Sequence, residues 1–168
     1  MVKGRLYSFK VQAINNVGVS ALSQPISILA AQMPAQPIAP VTSINELNVV
    51  VRWTAPDNGG SAITDYDIRI KTNSGSYEQQ LTDCDGSVYA TVMSRTCSIP
   101  ISSLIVAPFS LPWGVSVFAT VTAINKYDRS QTSLEGNGAI ILRAPDPPVN
   151  LENNADITSG SQIGLTWA

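Results

Sequence analysis

Cys84 and Cys97 are the residues of this chain whose type most readily does chemistry, and the chemistry open to them is narrow. A reactive thiolate needs a base or a cation beside it, and a structural zinc needs four nitrogen or sulfur ligands. The sequence holds no histidine and no third cysteine, so neither a Cys-His nucleophile nor a zinc site is expected. Two readings of the pair stay open: a disulfide, or two reduced thiols buried apart. The 14-residue segment they bound, CDGSVYATVMSRTC, has a length that suits a hairpin-like return between neighbouring strands. Among carboxylates, Asp65, Asp67, Asp83 and Asp85 are the ones close enough in sequence to suggest calcium. Asp65 and Asp67 alternate with Tyr66 and read as solvated strand residues, and Asp83 with Asp85 makes only half a ligand set. No catalytic residue, cofactor site or metal site is therefore expected.

Whatever positions these residues is β-structure. In LNVVVRW, Leu47, Val49, Val51 and Trp53 alternate with Asn48, Val50 and Arg52, which predicts a strand with one buried face and Trp53 pointing inward. TAPDNGG then ends the strand and reverses the chain. Beyond it, Tyr66, Ile68 and Ile70 alternate with Asp65, Asp67, Arg69 and Lys71, giving a second half-buried strand. No helix-period pattern of useful length occurs, and short strands separated by turn signals point to an antiparallel sandwich.

Composition bounds the function classes. Hydrophobic residues at 44% indicate a folded chain, while charged residues at 13% leave a surface built mostly of neutral polar groups. A net charge of −2 offers no electrostatic footprint for nucleic acid or an anionic membrane. No apolar run is long enough for a bilayer-spanning helix, so no membrane insertion is expected in this window. The N-terminal MVKGRLYSFKVQAIN lacks the apolar stretch of a signal peptide, and an export signal would have to lie outside the window. No Asn-x-Ser/Thr triplet is present.

The chain repeats itself. Val11-Gln-Ala-Ile-Asn15 recurs 110 residues later as Val121-Thr-Ala-Ile-Asn125, and Ser20 recurs as Ser130. Val49-Val-Val51-Arg-Trp53 recurs as Ile163-Gly-Leu165-Thr-Trp167, 114 residues on. Repetition at this period means tandem domains of one kind. The proline-rich stretches Met33–Pro40 and Ala144–Pro148 read as semi-rigid linkers between them. The expected organisation is the last hairpin of one domain over 1–33, a whole domain over 34–143, and the first strands of a third over 144–168.

The spaced positions Trp53, Pro56-Asp57-Asn58-Gly59-Gly60, Ile63-x-x-Tyr66-x-Ile68 and Val121-x-Ala123-x-Asn125 resemble the fibronectin type III domain. Tyr7-x-Phe9-x-Val11-x-Ala13-x-Asn15-x-x-Gly18-x-Ser20 resembles it in the same order. The resemblance covers the full chain and implies an all-β fold, tandem immunoglobulin-like sandwiches with seven strands in two sheets in the complete domain. It implies Trp53, Tyr66 and Trp167 as core anchors. Where the family carries a corner tyrosine the first unit has Tyr7, but the complete domain has Val117, so another element must hold that connection. Cys84 and Cys97 are the candidates for that tie, as a disulfide.

Ser102–Gly114, SSLIVAPFSLPWG, is more apolar than a connection between sandwich strands needs to be. Ile105, Val106 and Phe109 either cap the core of their own sandwich or meet a neighbouring domain or copy. The tip Tyr127, Asp128, Arg129 is a candidate partner loop. The expected role is a non-catalytic structural repeat of an extracellular or cell-surface protein, a spacer or fibre building block whose partners are neighbouring domains or copies of itself. Two alternatives stand beside it: an adhesion or receptor module that binds another surface protein or a glycan, and a spacer on a secreted carbohydrate-active enzyme.

Overall fold

A computed structural model describes residues 1–168. Its centre is a β-sandwich. One sheet holds β3 (Val41–Asn45), β4 (Asn48–Arg52) and β7 (Thr96–Pro100) in the order β3-β4-β7. The facing sheet holds β5 (Ile63–Lys71), β6 (Tyr77–Glu78) and β9 (Ala119–Asn125) in the order β6-β5-β9. A short pair, β8 (Ser116–Val117) with β10 (Ala139–Ile140), prolongs the β9 edge across a break at Phe118. All pairings are antiparallel. Counting β8 and β9 as one interrupted strand gives the seven of an immunoglobulin-like sandwich.

The inward residues follow the period of two. Val49, Val51 and Trp53 from β4 and the turn after it face Tyr66, Ile68 and Ile70 from β5, and Cys97, Ile99, Val117, Ala119, Val121 and Ala123 complete the layer. Leu47 departs from the pattern: it lies in the β3–β4 turn beside Glu46, which takes a left-handed φ of 54°, and it is exposed. The three-residue spacing from Ile63 to Tyr66 has a physical reason too. A bulge between Ile63 and Asp65 absorbs one residue, so Ile63 still packs against the core.

Two short helices lie in connections, α1 (Tyr89–Ser94) between β6 and β7 and α2 (Ile101–Leu104) after β7. Neither was legible, because six and four residues are too few to display a helical period. No helix is long and apolar enough to cross a membrane.

Before the sandwich come β1 (Leu6–Phe9) and β2 (Ile26–Leu29), a separate antiparallel pair; after it come β11 (Glu152–Asn153) and β12 (Leu165–Thr166). Neither pair faces a second sheet, and Trp167, expected to anchor a core, is 61% exposed for that reason.

The proline stretch before β3 differs from a free linker. Pro34, Pro37 and Pro40 are all buried, one face of an extended segment with a repeat of three. It runs beside residues 130–137, where Gln36 Nε2 donates to the Thr132 carbonyl at 2.7 Å. The later stretch, Ala144–Pro148, is exposed throughout.

Candidate interaction site

Cys84 and Cys97 form a disulfide with Cα atoms 5.1 Å apart. Cys84 lies in the connection after β6 and Cys97 in β7, so the bond ties that connection to a strand of the facing sheet rather than linking neighbouring strands of one hairpin. Nor does it hold the connection that lacks a corner tyrosine. That connection is held by backbone hydrogen bonds, one internal and two to neighbouring segments: Leu111 N–H donates to Leu104 O, Asn73 N–H to Phe109 O, and Gly114 N–H to Ile141 O. In the first hairpin the tyrosine bond is present, with Val2 N–H donating to Tyr7 Oη at 2.7 Å.

Phe109 is 3% exposed and plugs the end of the sandwich with Leu104 and Leu111. It therefore lines no free surface. Ile105 and Val106, 36% and 55% exposed, remain at the surface of the same loop. The connection splits into an inner plug and an outer rim because a strand-to-strand loop closing over an open sandwich end has one face toward the core.

The tip residues separate as well. Tyr127 is exposed, and its N–H and that of Asp128 donate to Asn125 Oδ1. Arg129 turns back onto β5, where its guanidinium pairs with Asp67. Asp67 is not a solvated strand residue: it is 7% exposed and also accepts from Arg69 Nε at 3.1 Å and Gln79 Nε2 at 2.8 Å. A buried carboxylate is tolerable only when its lone pairs are occupied by donors, and three side chains supply them here. Asp83 accepts from Gln80 Nε2 and donates its N–H back to Gln80 Oε1, while Asp85 caps a turn by accepting from the N–H and hydroxyl of Ser87. The Ser87 backbone N–H holds the Asp85 carboxyl below the usual range. No group of three metal-ligating side chains forms.

On the outer face of β5 and β6, Glu135 accepts from Lys71 Nζ at 2.7 Å and from the Tyr77 hydroxyl. Lys71 above all, then Tyr77, holds the Glu135 carboxyl below its ordinary range. Burial, and then the neighbouring carboxylate, pushes the Tyr77 phenol up, so that hydroxyl is a fixed donor rather than an acid.

A built polar site lies where the first hairpin meets the sandwich. The turn Asp57–Gly60 is closed by Gly59 N–H on Asp57 Oδ1 and Gly60 N–H on Asn58 Oδ1. Gln32 N–H donates to the Gly59 carbonyl and Ala35 N–H to that of Asp57, both at 2.9 Å. Asn125, 5% exposed, donates from Nδ2 to the carbonyls of both Gln32 and Asn58, at 2.8 and 2.9 Å. Lys3 Nζ stands 3.5 Å from Asp57, whose carboxyl is held below its usual range chiefly by the Gly59 N–H.

The repeat read from the sequence has a matching set of hydrogen bonds. Ser130 N–H donates to Ala123 O while Ala123 N–H donates to Ser130 Oγ, and Ser133 makes the same exchange with Val121. In the first hairpin Ser20 does this with Ala13 and Ser23 with Val11. Asn15 Oδ1 caps Val17 and Gly18 as Asn125 Oδ1 caps Tyr127 and Asp128. The partner strand advances two residues per rung while the serine strand advances three, so each serine hydroxyl accepts the bond that a carbonyl would take in an ordinary ladder.

No family model matches the chain. Human slow-type myosin-binding protein C is 24% identical over 155 residues, 88% of this chain, which spans 14% of that protein's own length. A crystal structure of a run of titin domains superposes with a TM-score of 0.50 at 19% identity, over 82% of this chain and 41% of that one. The sixth fibronectin type III domain of human fibronectin type III domain containing protein 3 gives a TM-score of 0.51 at 15% identity, over 70% of this chain and 93% of that one. At these identities the likeness is one of fold. The central sandwich has the fibronectin type III fold.

Proposed function

We propose that this chain is a non-catalytic structural repeat, a stretch of a tandem array in which residues 34–143 form one complete unit, 1–33 the end of the unit before and 144–168 the start of the unit after. The observation that carries this is the pair of serine-rung hairpins at an offset of 110 residues, alike down to the hydroxyl acceptors. Its work is to space or to build: the sandwich holds no catalytic constellation, and its built polar site is occupied by neighbouring chain. The Cys84–Cys97 disulfide supports an extracellular or cell-surface location, since such bonds persist in oxidising compartments.

Neighbouring units and other copies of the chain are the proposed partners, meeting through the exposed rim of Ile105 and Val106. Repetition along an array multiplies a weak contact of this kind. Sedimentation velocity tests it with Ile105→Ser and Val106→Ser combined, a change that spares the buried Phe109. The expected result is loss of self-association at an unchanged denaturation midpoint. Identical sedimentation of the variant and the parent at all concentrations would overturn the building-block reading.

A further inference from the structure

We infer that the Asp57–Gly60 turn, with Asn125 behind it, is a docking site for the segment leaving the first hairpin, and that it holds hairpin and sandwich at one fixed angle. The proline-rich stretch by itself would allow a range of angles. The contacts allow one. Four hydrogen bonds converge within a few residues: Gln32 N–H to Gly59 O, Ala35 N–H to Asp57 O, and the two from Asn125 Nδ2, which clamp the carbonyls of Gln32 and Asn58 together. Asn125 is buried, and its carbonyl oxygen is committed to the turn that follows it, so the amide cannot swing away without leaving polar groups unpaired.

The glycines explain how the two backbones come so close. Gly59 and Gly60 have φ of 69° and 90°. A Cβ on Gly59 would collide with the Gln32 carbonyl and lie 2.5 Å from that of Met33. On Gly60 it would lie 2.5 Å from Gly4 N and 3.0 Å from the Ala30 carbonyl. The first hairpin is thus touched on both of its end segments, residues 3–4 and 30–33, which blocks hinge motion about either one. Buried Pro34, Pro37 and Pro40 extend the hold into the sandwich. This inference rests on reading the chain as successive units of an array, and it makes this one joint of that array stiff.

Electron–electron distance measurement on the full 168-residue chain tests it. Spin labels on non-canonical side chains at the exposed positions Ser27 and Ser43 leave the disulfide intact. The parent chain is expected to give a single narrow distance distribution, and Gly59→Ala and Gly60→Ala to lose it. Gly75→Ala is the control: it has the same φ of 90° with nothing within 4 Å of the added Cβ, so it strains the backbone without touching the joint and should keep the narrow distribution. Far-ultraviolet circular dichroism reports whether the sandwich stays folded. If the glycine variants unfold it, Asn125→Ala removes the clamp without a clash and should broaden the distribution. A broad distribution in the parent, or a narrow one retained in every folded variant of the joint, overturns the inference. Either result leaves the structural-repeat reading, tested by sedimentation, where it stands.

Discussion

The indole of Trp53 meets the ring of Tyr66 edge to face, with centroids 5.3 Å apart and planes at 67°. Trp53 follows β4 and Tyr66 lies in β5 of the facing sheet, so the contact ties the two layers together. Trp53 Nε1 is buried without a hydrogen-bond partner, which makes the ring's packing, not its polar handle, the source of its contribution.

Trp53→Ala should therefore destabilise the chain by about 3–5 kcal/mol. Trp53→Phe should cost clearly less, because it keeps an aromatic edge contact and removes the unpaired donor. Urea titration followed by far-ultraviolet circular dichroism compares the three. Equal losses in both variants would show that the indole nitrogen matters.

Reduction of Cys84–Cys97 should lower stability by about 3 kcal/mol, the chain-entropy value for a closed loop of this size. Intact mass after alkylation without reductant should show no added groups on the unfolded protein. Two added groups would remove both the bond and the argument for an oxidising compartment.

Ser130→Ala and Ser133→Ala each leave a buried backbone N–H, of Ala123 and Val121, without its acceptor, at a cost of about 1–3 kcal/mol. Ser20→Ala and Ser23→Ala remove the same bonds where water can replace them, since Ala13 and Val11 are exposed, and should cost far less. Equilibrium denaturation of the four variants reads the contrast; equal costs would refute it.

Glu135 gives the pH dependence. Its folded pKa lies below the ordinary value of 4.5, so it adds stability that is present above 4.5 and lost as pH falls through the folded pKa. Tyr77 works with the opposite sign. Its raised pKa adds stability that is present below 10.0 and lost as pH rises beyond it. Glu135→Gln should flatten the acid limb and weaken the alkaline one, leaving the part that comes from burial of Tyr77. Thermal midpoints across pH check this, and an unchanged acid limb in the variant would show that the carboxylate is not engaged in solution.

What the sequence disclosed was whatever repeats locally. Period-two alternation located β4 and β5, and the copied Val-x-Ala-x-Asn text located the tandem hairpins. What it hid depends on partners far apart in the chain. Asp67 is held by Arg129, 62 residues away, and nothing in the surrounding residues marks it as buried. Thr42 and Asn137 exchange hydrogen bonds across 95 residues, closing the gap between β3 and β10 with side chains where no ladder exists. Of the two readings open for Ile105, Val106 and Phe109, Phe109 took the core-capping one while the other two stayed outside; the sequence could not divide them, since only the loop's closure decides which of its apolar residues face inward. One missed feature did carry a signal: prolines at 34, 37 and 40 have the spacing of a polyproline face, which calls for a packing partner as readily as a linker does.

The serine rungs have a consequence for how such chains avoid one another while folding. A foreign strand adds to a sheet edge only if that edge offers donors and acceptors at every second residue. Residues 130–136 step by three against a partner stepping by two, and the proline face that runs alongside them lacks an N–H at every third position. Tethered copies of one fold sit at high local concentration, where exchange of strands between neighbours is the characteristic error. On this side, the sandwich presents an invading strand with a register it cannot match.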